Sequence, residues 1–416
     1  MTTSTGIPGH RVVVTGLGSV TPIGVGTDTY WSNLRDGVCG VGPIENFDPE
    51  DLYITIGAEV RNFNARPYFR DLKREKIMPH ADRFAQFAGV AAIEAMEMAG
   101  LSDGVPNPLR AGCIIGSGAG GLVSYESAYR DLFIHKKKAT HPLTLLRIIG
   151  SSACAHVSIE FNIKGPTFGT VSACSTAAHA IGLTFDMIRR GVIDMAVTGA
   201  SEGVMNYGTM RAWQALRVLS PDGCRPFSKD RNGTVLAEGA GLLVLESLEH
   251  AQARGATILG EVCGFGMTSD AKDMVNPDTD GAAEAMRLAI ADAGLDPSQI
   301  GYVNAHGTAT AINDSNETKA IRQVFGDHAD KLAVSSTKSM HGHLLGAGGG
   351  IEAIACLKAL QDQHVPATIN LNETDPECDL DYVPNQGRDL QFQYAVSNSF
   401  AFGGLNSVLV LGAAPA

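Results

Sequence analysis

Cys174 stands within the run Gly169-Thr170-Val171-Ser172-Ala173-Cys174-Ser175-Thr176-Ala177-Ala178-His179. A cysteine can attack a carbonyl, and the thiolate is its reactive form. Downstream, apolar residues recur at Ala177, Ala178, Ile181, Phe185 and Ile188, which is a helical spacing. Upstream, Pro166 to Val171 reads as an extended, mostly apolar approach. Cys174 therefore falls where a strand meets the first turn of a helix. Free backbone N–H groups and the positive end of the helix dipole then lie beside the sulfur. Both favour thiolate over thiol. A buried structural cysteine fits the same local pattern, because a free Cys is usually a small hydrophobe.

Three later stretches add chemistry. They are Asn304-Ala305-His306-Gly307-Thr308-Ala309-Thr310, then Ser336-Thr337-Lys338-Ser339-Met340-His341-Gly342-His343, then Asn398-Ser399-Phe400-Ala401-Phe402-Gly403-Gly404-Leu405-Asn406. Either histidine alone reads equally well as a hydrogen-bonded loop residue. A cysteine at a helix start, two separate His loops, a Lys and a late Gly-rich turn form a Cys-His-His constellation. His341-x-His343 has no evident third partner, so it is poor support for a metal. Gly116-Ser117-Gly118-Ala119-Gly120-Gly121 lacks the Lys-Ser/Thr of a P-loop and the setting of a dinucleotide loop.

The elements that must position these groups alternate between strand and helix patterns, which argues for α/β layers. Strands are expected at Arg11–Thr15, Arg110–Ile115, Met195–Thr198, Gly241–Glu246 and Tyr302–Ala305. Helices are expected at Tyr30–Arg35, Arg83–Ala99, Cys174–Gly191 and Ala282–Ala291. The order helix, Ala-Gly-Leu, strand, Gly occurs twice, at Ala99-Gly100-Leu101 and Ala293-Gly294-Leu295. A Gly after a helix is a common C-terminal cap, so the signal is weak by itself.

Taken together and in this order, the motifs resemble the β-ketoacyl-(acyl carrier protein) synthases of the condensing-enzyme, thiolase-like superfamily. The resemblance runs from Val12-Val13-Val14-Thr15-Gly16 to the Phe402 turn. It implies an α/β fold of duplicated five-layer α-β-α-β-α type, with residues 1–259 carrying the nucleophile and 260–416 the two histidines. It implies decarboxylative Claisen condensation. Cys174 would take the acyl chain, and His306 and His343 would stabilise the malonyl-derived enolate. The N–H groups of Cys174 and Phe402 would form an oxyanion site. Lys338 would join a buried ionic network, with Glu352 as first partner and Asp314 and Glu317 as others nearby. Thr308 and Thr310 would hold the pantetheine arm. Ala119 would line the acyl tunnel, with Thr144 reaching it from the second subunit of a homodimer. His341 would be a neighbour, since many relatives have Thr there.

The implied partner is acyl carrier protein, which brings its own phosphopantetheine, so no metal or free cofactor is expected. Basic clusters at Arg70, Lys73, Arg74 and Lys76, and at Arg211 and Arg217, would steer that acidic partner. The first cluster also fits an ordinary solvated face. Ala401, Leu405, Cys224-Arg225-Pro226-Phe227 and the Met340–His343 run differ from many chain-elongating relatives. They look similar to nodulation-type and specialised long-chain ketosynthases, and they weigh against a housekeeping role. A chain-length factor would lack the cysteine. A coenzyme A thiolase fits the His-Gly-Thr-x-Thr loop less well.

Composition agrees. The 416 residues are 44% apolar and 18% charged, enough for a large core. A net charge of −12 argues against a general nucleic-acid or anionic-membrane binder. No secretory signal or apolar run of ~18 residues is seen. The eight cysteines form no C-x-x-C, so reduced thiols in the cytoplasm are the simplest expectation.

Overall fold

A computed structural model describes residues 9–70 and 75–415. Ten strands make up the body of one mixed sheet. They are β1 (Val12–Thr21), β2 (Ala111–Gly116), β3 (Thr167–Phe168), β4 (Met195–Glu202), β5 (Gly239–Ser247), β6 (Gly260–Ser269), β7 (Ile300–Asn304), β8 (Ala333–Ser335), β9 (Tyr394–Ala401) and β10 (Leu405–Gly412). Their spatial order is β8-β7-β9-β10-β6-β1-β5-β4-β2-β3, with the short strand Gly24–Val25 paired onto β1.

Outward from the β1/β6 pair, each half repeats one order. The N-terminal half runs first, fifth, fourth, second, third in its own chain sequence, and so does the C-terminal half. Each begins with two antiparallel pairings. Each ends with two parallel ones. The halves meet where Val12, Val13 and Val14 pair antiparallel with Val262, Glu261 and Gly260.

Five helices complete the layers: α1 (Arg83–Met98), α2 (Thr176–Arg189), α3 (Thr279–Asp292), α4 (Ala311–Phe325) and α5 (Gly348–Asp362). Helix α1 packs on β1, β4 and β5; α3 packs on β6 and β10, with α4 against it. Between the half-sheets, α2 and α5 touch each other and strands of both halves. The strands are thus covered on both faces, which is why β1 is apolar and β-branched with every residue buried. The twin Ala-Gly-Leu segments close α1 and α3 identically. Gly100 and Gly294 adopt φ of +71° and +68°. Leu101 N–H donates to Met96 O, and Leu295 N–H to Ile290 O, at 2.8 and 3.1 Å. This is the Schellman pattern, which needs a residue without a Cβ penalty at the left-handed position.

Around Cys174 two boundaries differ from expectation. Only Thr167–Phe168 of the approach to Cys174 is strand. Cys174 itself lies in a single 3-10 turn, Ala173–Ser175, and the regular helix begins at Thr176. The chain must turn sharply there, and Ala173 takes the left-handed conformation with φ of 46°.

Residues Gly348 to Leu357 of α5 are all buried. A Cβ on Gly350 would lie 2.4 Å from the Gly241 carbonyl oxygen, and one on Gly241 2.3 Å from Ile351 N. Helix and strand therefore meet backbone to backbone. Gly350→Ala is expected to destabilise the protein by about 1–3 kcal/mol, the usual cost of overpacking. Chemical unfolding of parent and variant measures it, and equal midpoints would contradict this packing.

Candidate active site

The sharp turn at Ala173 sets Cys174 just ahead of the regular helix. A non-glycine residue with positive φ stores strain, and its neighbours hold it there. The hydroxyl of Thr176 accepts from Ser172 N–H at 2.9 Å and donates to Ala173 O at 2.7 Å. The Ser175 hydroxyl lies 2.9 Å from the Ser399 carbonyl and 2.6 Å from that of Leu405. These carbonyls flank the hairpin that joins β9 to β10 and carries Phe402. One hydroxyl therefore ties the Cys174 turn of the first half to the glycine hairpin of the second. Gly403 and Gly404 have φ of +83° and +70°, which only glycine adopts freely.

Three buried side chains converge. The ligand atoms of Cys174, His306 and His343 all lie within 4.8 Å of one another. His343 Nε2 sits 3.1 Å from Cys174 Sγ. The two imidazoles are edge to face, with centroids 5.5 Å apart. They line a cavity of about 300 Å³ that also touches Trp213, Phe400 and Phe402. Thr308 and Thr310 line the same cavity, their hydroxyls 3.0 Å apart.

Lys338 donates to Glu352, and both side chains are 1% exposed. Asp314 and Glu317 serve elsewhere. Asp314 accepts from Phe227 N–H and faces Arg231. Glu317 accepts from the N–H groups of His306 and Gly307, each at 2.8 Å, and from Asn398. It thereby holds the loop that presents His306.

Electrostatics correct one expectation. Burial pushes the Cys174 thiol up to about 12; Lys338 and the N–H groups of Phe402 and Cys174 pull it down, while Glu202 opposes them. The resting group is a thiol, because desolvation of the charged form outweighs the turn's donors. Burial, then the Lys338 charge, also holds His306 and His343 well below the ordinary histidine range. His341 is pushed down to about 3 by the same causes and spends Nδ1 on the Gly342 carbonyl at 2.8 Å.

Ala119 belongs to the apolar cluster around Cys174, with Leu122 and Leu345. Thr144 is not brought to the Cys174 cavity of its own chain. It starts the short helix Thr144–Ile148 and donates to His141 O at 2.7 Å. Arg70, Lys76, Arg211 and Arg217 are exposed; Lys73 and Arg74 lie outside the described residues. Among the described residues no helix is long and apolar enough to cross a membrane. Sequence reasoning missed the anchoring by Glu317, the Trp213–Phe402 ring pair at 5.8 Å, and buried Glu202. An acidic residue ending an apolar strand was the available signal for Glu202.

The profile of the β-ketoacyl synthase N-terminal domain matches residues 9–251, and that of the C-terminal domain matches 259–372. The chain belongs to the β-ketoacyl synthase family. It is a condensing acyltransferase of the synthase II kind. Nodulation protein E of Rhizobium leguminosarum bv. trifolii is 45% identical over 400 residues, 96% of this chain and 98% of that one. The 3-oxoacyl-(acyl-carrier-protein) synthase 2 of Staphylococcus aureus (strain COL) is 44% identical over 407 residues, 96% and 97% of the two chains. Among solved structures, the ishigamide ketosynthase/chain length factor superposes with a TM-score of 0.93 at 35% identity, covering 98% of this chain and 100% of that one. A type II polyketide acyl-carrier protein in complex with its ketosynthase bound to the hexaketide gives 0.88 at 34%, covering 97% and 100%. The duplicated five-layer thiolase-like fold stands with these neighbours.

The depressed histidines make a pH prediction for this synthase. A histidine with a lowered pKa stays neutral until the pH falls below that value, so both rings remain N–H donors at neutral pH. The rate of malonyl-thioester decarboxylation should therefore show no inflection near the ordinary histidine pKa of about 6.5. A rate that falls through a midpoint at that pH would contradict the neutral pair.

Proposed function

We propose that this synthase elongates acyl chains carried on acyl carrier protein by decarboxylative condensation with malonyl carrier protein. The observation that carries the reading is the meeting of Cys174, His306 and His343 at the end of one cavity, with the N–H groups of Cys174 and Phe402 aimed at the sulfur.

The Cys174 thiol attacks the incoming thioester carbonyl. The Sγ–C bond forms as the thiol proton passes to the departing pantetheine sulfur and the old C–S bond breaks, with His343 Nε2–H beside Sγ. The tetrahedral oxygen is held by the N–H groups of Cys174 and Phe402. Malonyl thioester then enters beside the histidines. Loss of CO₂ leaves an electron pair as enolate, and its oxygen accepts from Nε2–H of His306 and His343. The enolate carbon attacks the Cys-bound carbonyl. Collapse expels the Cys174 sulfur, which takes one proton from water. Lys338 favours every negative charge along this path, and for the same reason it opposes a metal ion among the three donors. Thr308 and Thr310 line the cavity with hydroxyls suited to the amides of a pantetheine arm.

Several further assignments belong to this reading. The carrier docks near the exposed Arg211 and Arg217, and Arg217 lines the cavity. Two copies associate through the β3 edge, where Phe168 and Val171 are exposed; Phe133, Leu145 and Leu146 are exposed as well. Thr144 lies on that surface and contributes to the partner's acyl tunnel. The division of the chain falls at residue 259, where the strand order restarts. The synthase needs no free cofactor and works in the cytoplasm, in keeping with eight unpaired cysteines. The intact nucleophile and both histidines favour catalysis over a chain-length-factor role.

Acyl carrier protein should leave a single acyl adduct on the parent and none on Cys174→Ala by intact mass spectrometry. Decarboxylation by His306→Ala or His343→Ala should fall about 10²–10³-fold, as for loss of an oxyanion donor. An adduct that survives Cys174→Ala, or parental decarboxylation by either His variant, removes that residue from the mechanism.

The small side chains at Ala119 and Thr144 favour long acyl groups. Each extra buried methylene contributes about 0.8 kcal/mol when space exists. Ala119→Phe should shorten the accepted range and leave short-chain acylation intact. Competition among short, medium and long acyl carriers checks this; an unchanged long-chain preference would sink the tunnel argument.

A further inference from the structure

Glu202 ends β4 with its carboxylate fully buried. Among the described residues, the hydrogen bonds it accepts all come from neutral donors. Oε1 accepts from Ser117 Oγ at 2.8 Å and Ala119 N–H at 3.1 Å. Oε2 accepts from Gly118 N–H at 2.9 Å and Gly346 N–H at 3.0 Å. Ser117 Oγ in turn accepts from Gly120 N–H at 2.8 Å. The loop Gly116–Gly121 is therefore an anion cradle, and the anion is internal. A Cβ on Gly346 would lie 2.6 Å from both Glu202 Oε2 and Gly118 N. The carboxylate thus clamps a first-half loop to a second-half turn at backbone contact. One clamped residue, Ala119, packs in the cluster around Cys174. Another, Gly346, follows His343 by three positions.

We propose that Glu202 is a positioning residue for acyl transfer: it anchors the Gly116–Gly121 loop to the Leu345–Ala347 turn, and its charge adds to burial in opposing the Cys174 thiolate. The proposal rests on the acyl-transfer reading above. Two charges act on the Cys174 sulfur, Lys338 favouring its thiolate and Glu202 opposing it. Burial raises the Glu202 carboxyl to about 7, against the pull of its four donors. Above that pH the carboxylate is charged, and its charge disfavours the Cys174 thiolate.

The test compares parent, Glu202→Gln and Ser117→Ala. Iodoacetamide alkylation of Cys174 is followed across pH, and acyl transfer and malonyl decarboxylation are assayed separately. Glu202→Gln removes the charge and turns an amide N–H₂ toward existing donors. Its alkylation midpoint should move to lower pH. Acyl transfer should fall about 10- to 100-fold, the factor for hydrogen bonds to a charged group, with decarboxylation much less affected. Ser117→Ala keeps the charge, so its midpoint should stay parental while acyl transfer drops about 2- to 10-fold. An unshifted midpoint in folded Glu202→Gln, or equal loss of both half-reactions, overturns the proposal. If Glu202→Gln does not fold, Ser117→Ala decides: selective loss of acyl transfer supports the role, and parental transfer ends it. A parent that takes no acyl group instead overturns the ketosynthase reading, whereas the alkylation midpoint reads Glu202 without any carrier.

Discussion

The charge of Lys338, paired with Glu352 and sealed from water, acts together with burial on every titratable group around it. Its field favours the Cys174 thiolate and disfavours protonation of His306, His343 and His341. In an interior of low effective dielectric such a field reaches further than it would in water. Burying a charge is costly, and removing one partner of a buried pair typically costs about 3–5 kcal/mol. The pair is therefore weak support for stability but strong support for a task. Burial first, and then this charge, keeps the two imidazoles neutral and able to donate hydrogen bonds.

Duplication explains why the machinery lies at the seam between the halves. Each half brings a helix to the central layer, α2 from the first and α5 from the second. The turn before α2 carries Cys174. The loops around β7 and β8, together with the β9–β10 hairpin, carry His306, Lys338, His343 and Phe402. Neither half contains a complete site. Small contacts across the seam then acquire large consequences. The Ser175 hydroxyl reaches the carbonyls beside the Phe402 hairpin, and the Glu202 carboxylate reaches Gly346. Gly350 and Gly241 let α5 sit directly on the β5 backbone, which brings the second half close enough for these bonds.

Much of this was legible before folding. The apolar β-branched run at Val12–Val14, the helix over Arg83–Met98 and the twin Ala-Gly-Leu caps follow from local spacing and turn chemistry. So does the arrival of a cysteine at a sharp strand-to-helix transition. The motif set pointed to the family and to Cys174, His306, His343 and Lys338, because those residue types at those loops have few other uses together.

What the chain alone could not tell was set by burial and by contacts hundreds of residues apart. A cysteine beside free N–H groups reads as a thiolate, yet desolvation in the assembled core outweighs those donors and leaves a thiol. Glu352 was the first candidate partner of Lys338, and packing gave the other two acidic residues different work, Glu317 at the His306 loop and Asp314 at Phe227 and Arg231. A glycine-rich loop that looked like a failed phosphate site cradles a carboxylate from strand β4, 83 residues beyond Ala119 in the sequence. Residue types and local spacing declare the chemistry a chain can perform. Desolvation and long-range pairing depend on the full three-dimensional arrangement, and they decide the protonation state and partner of each group.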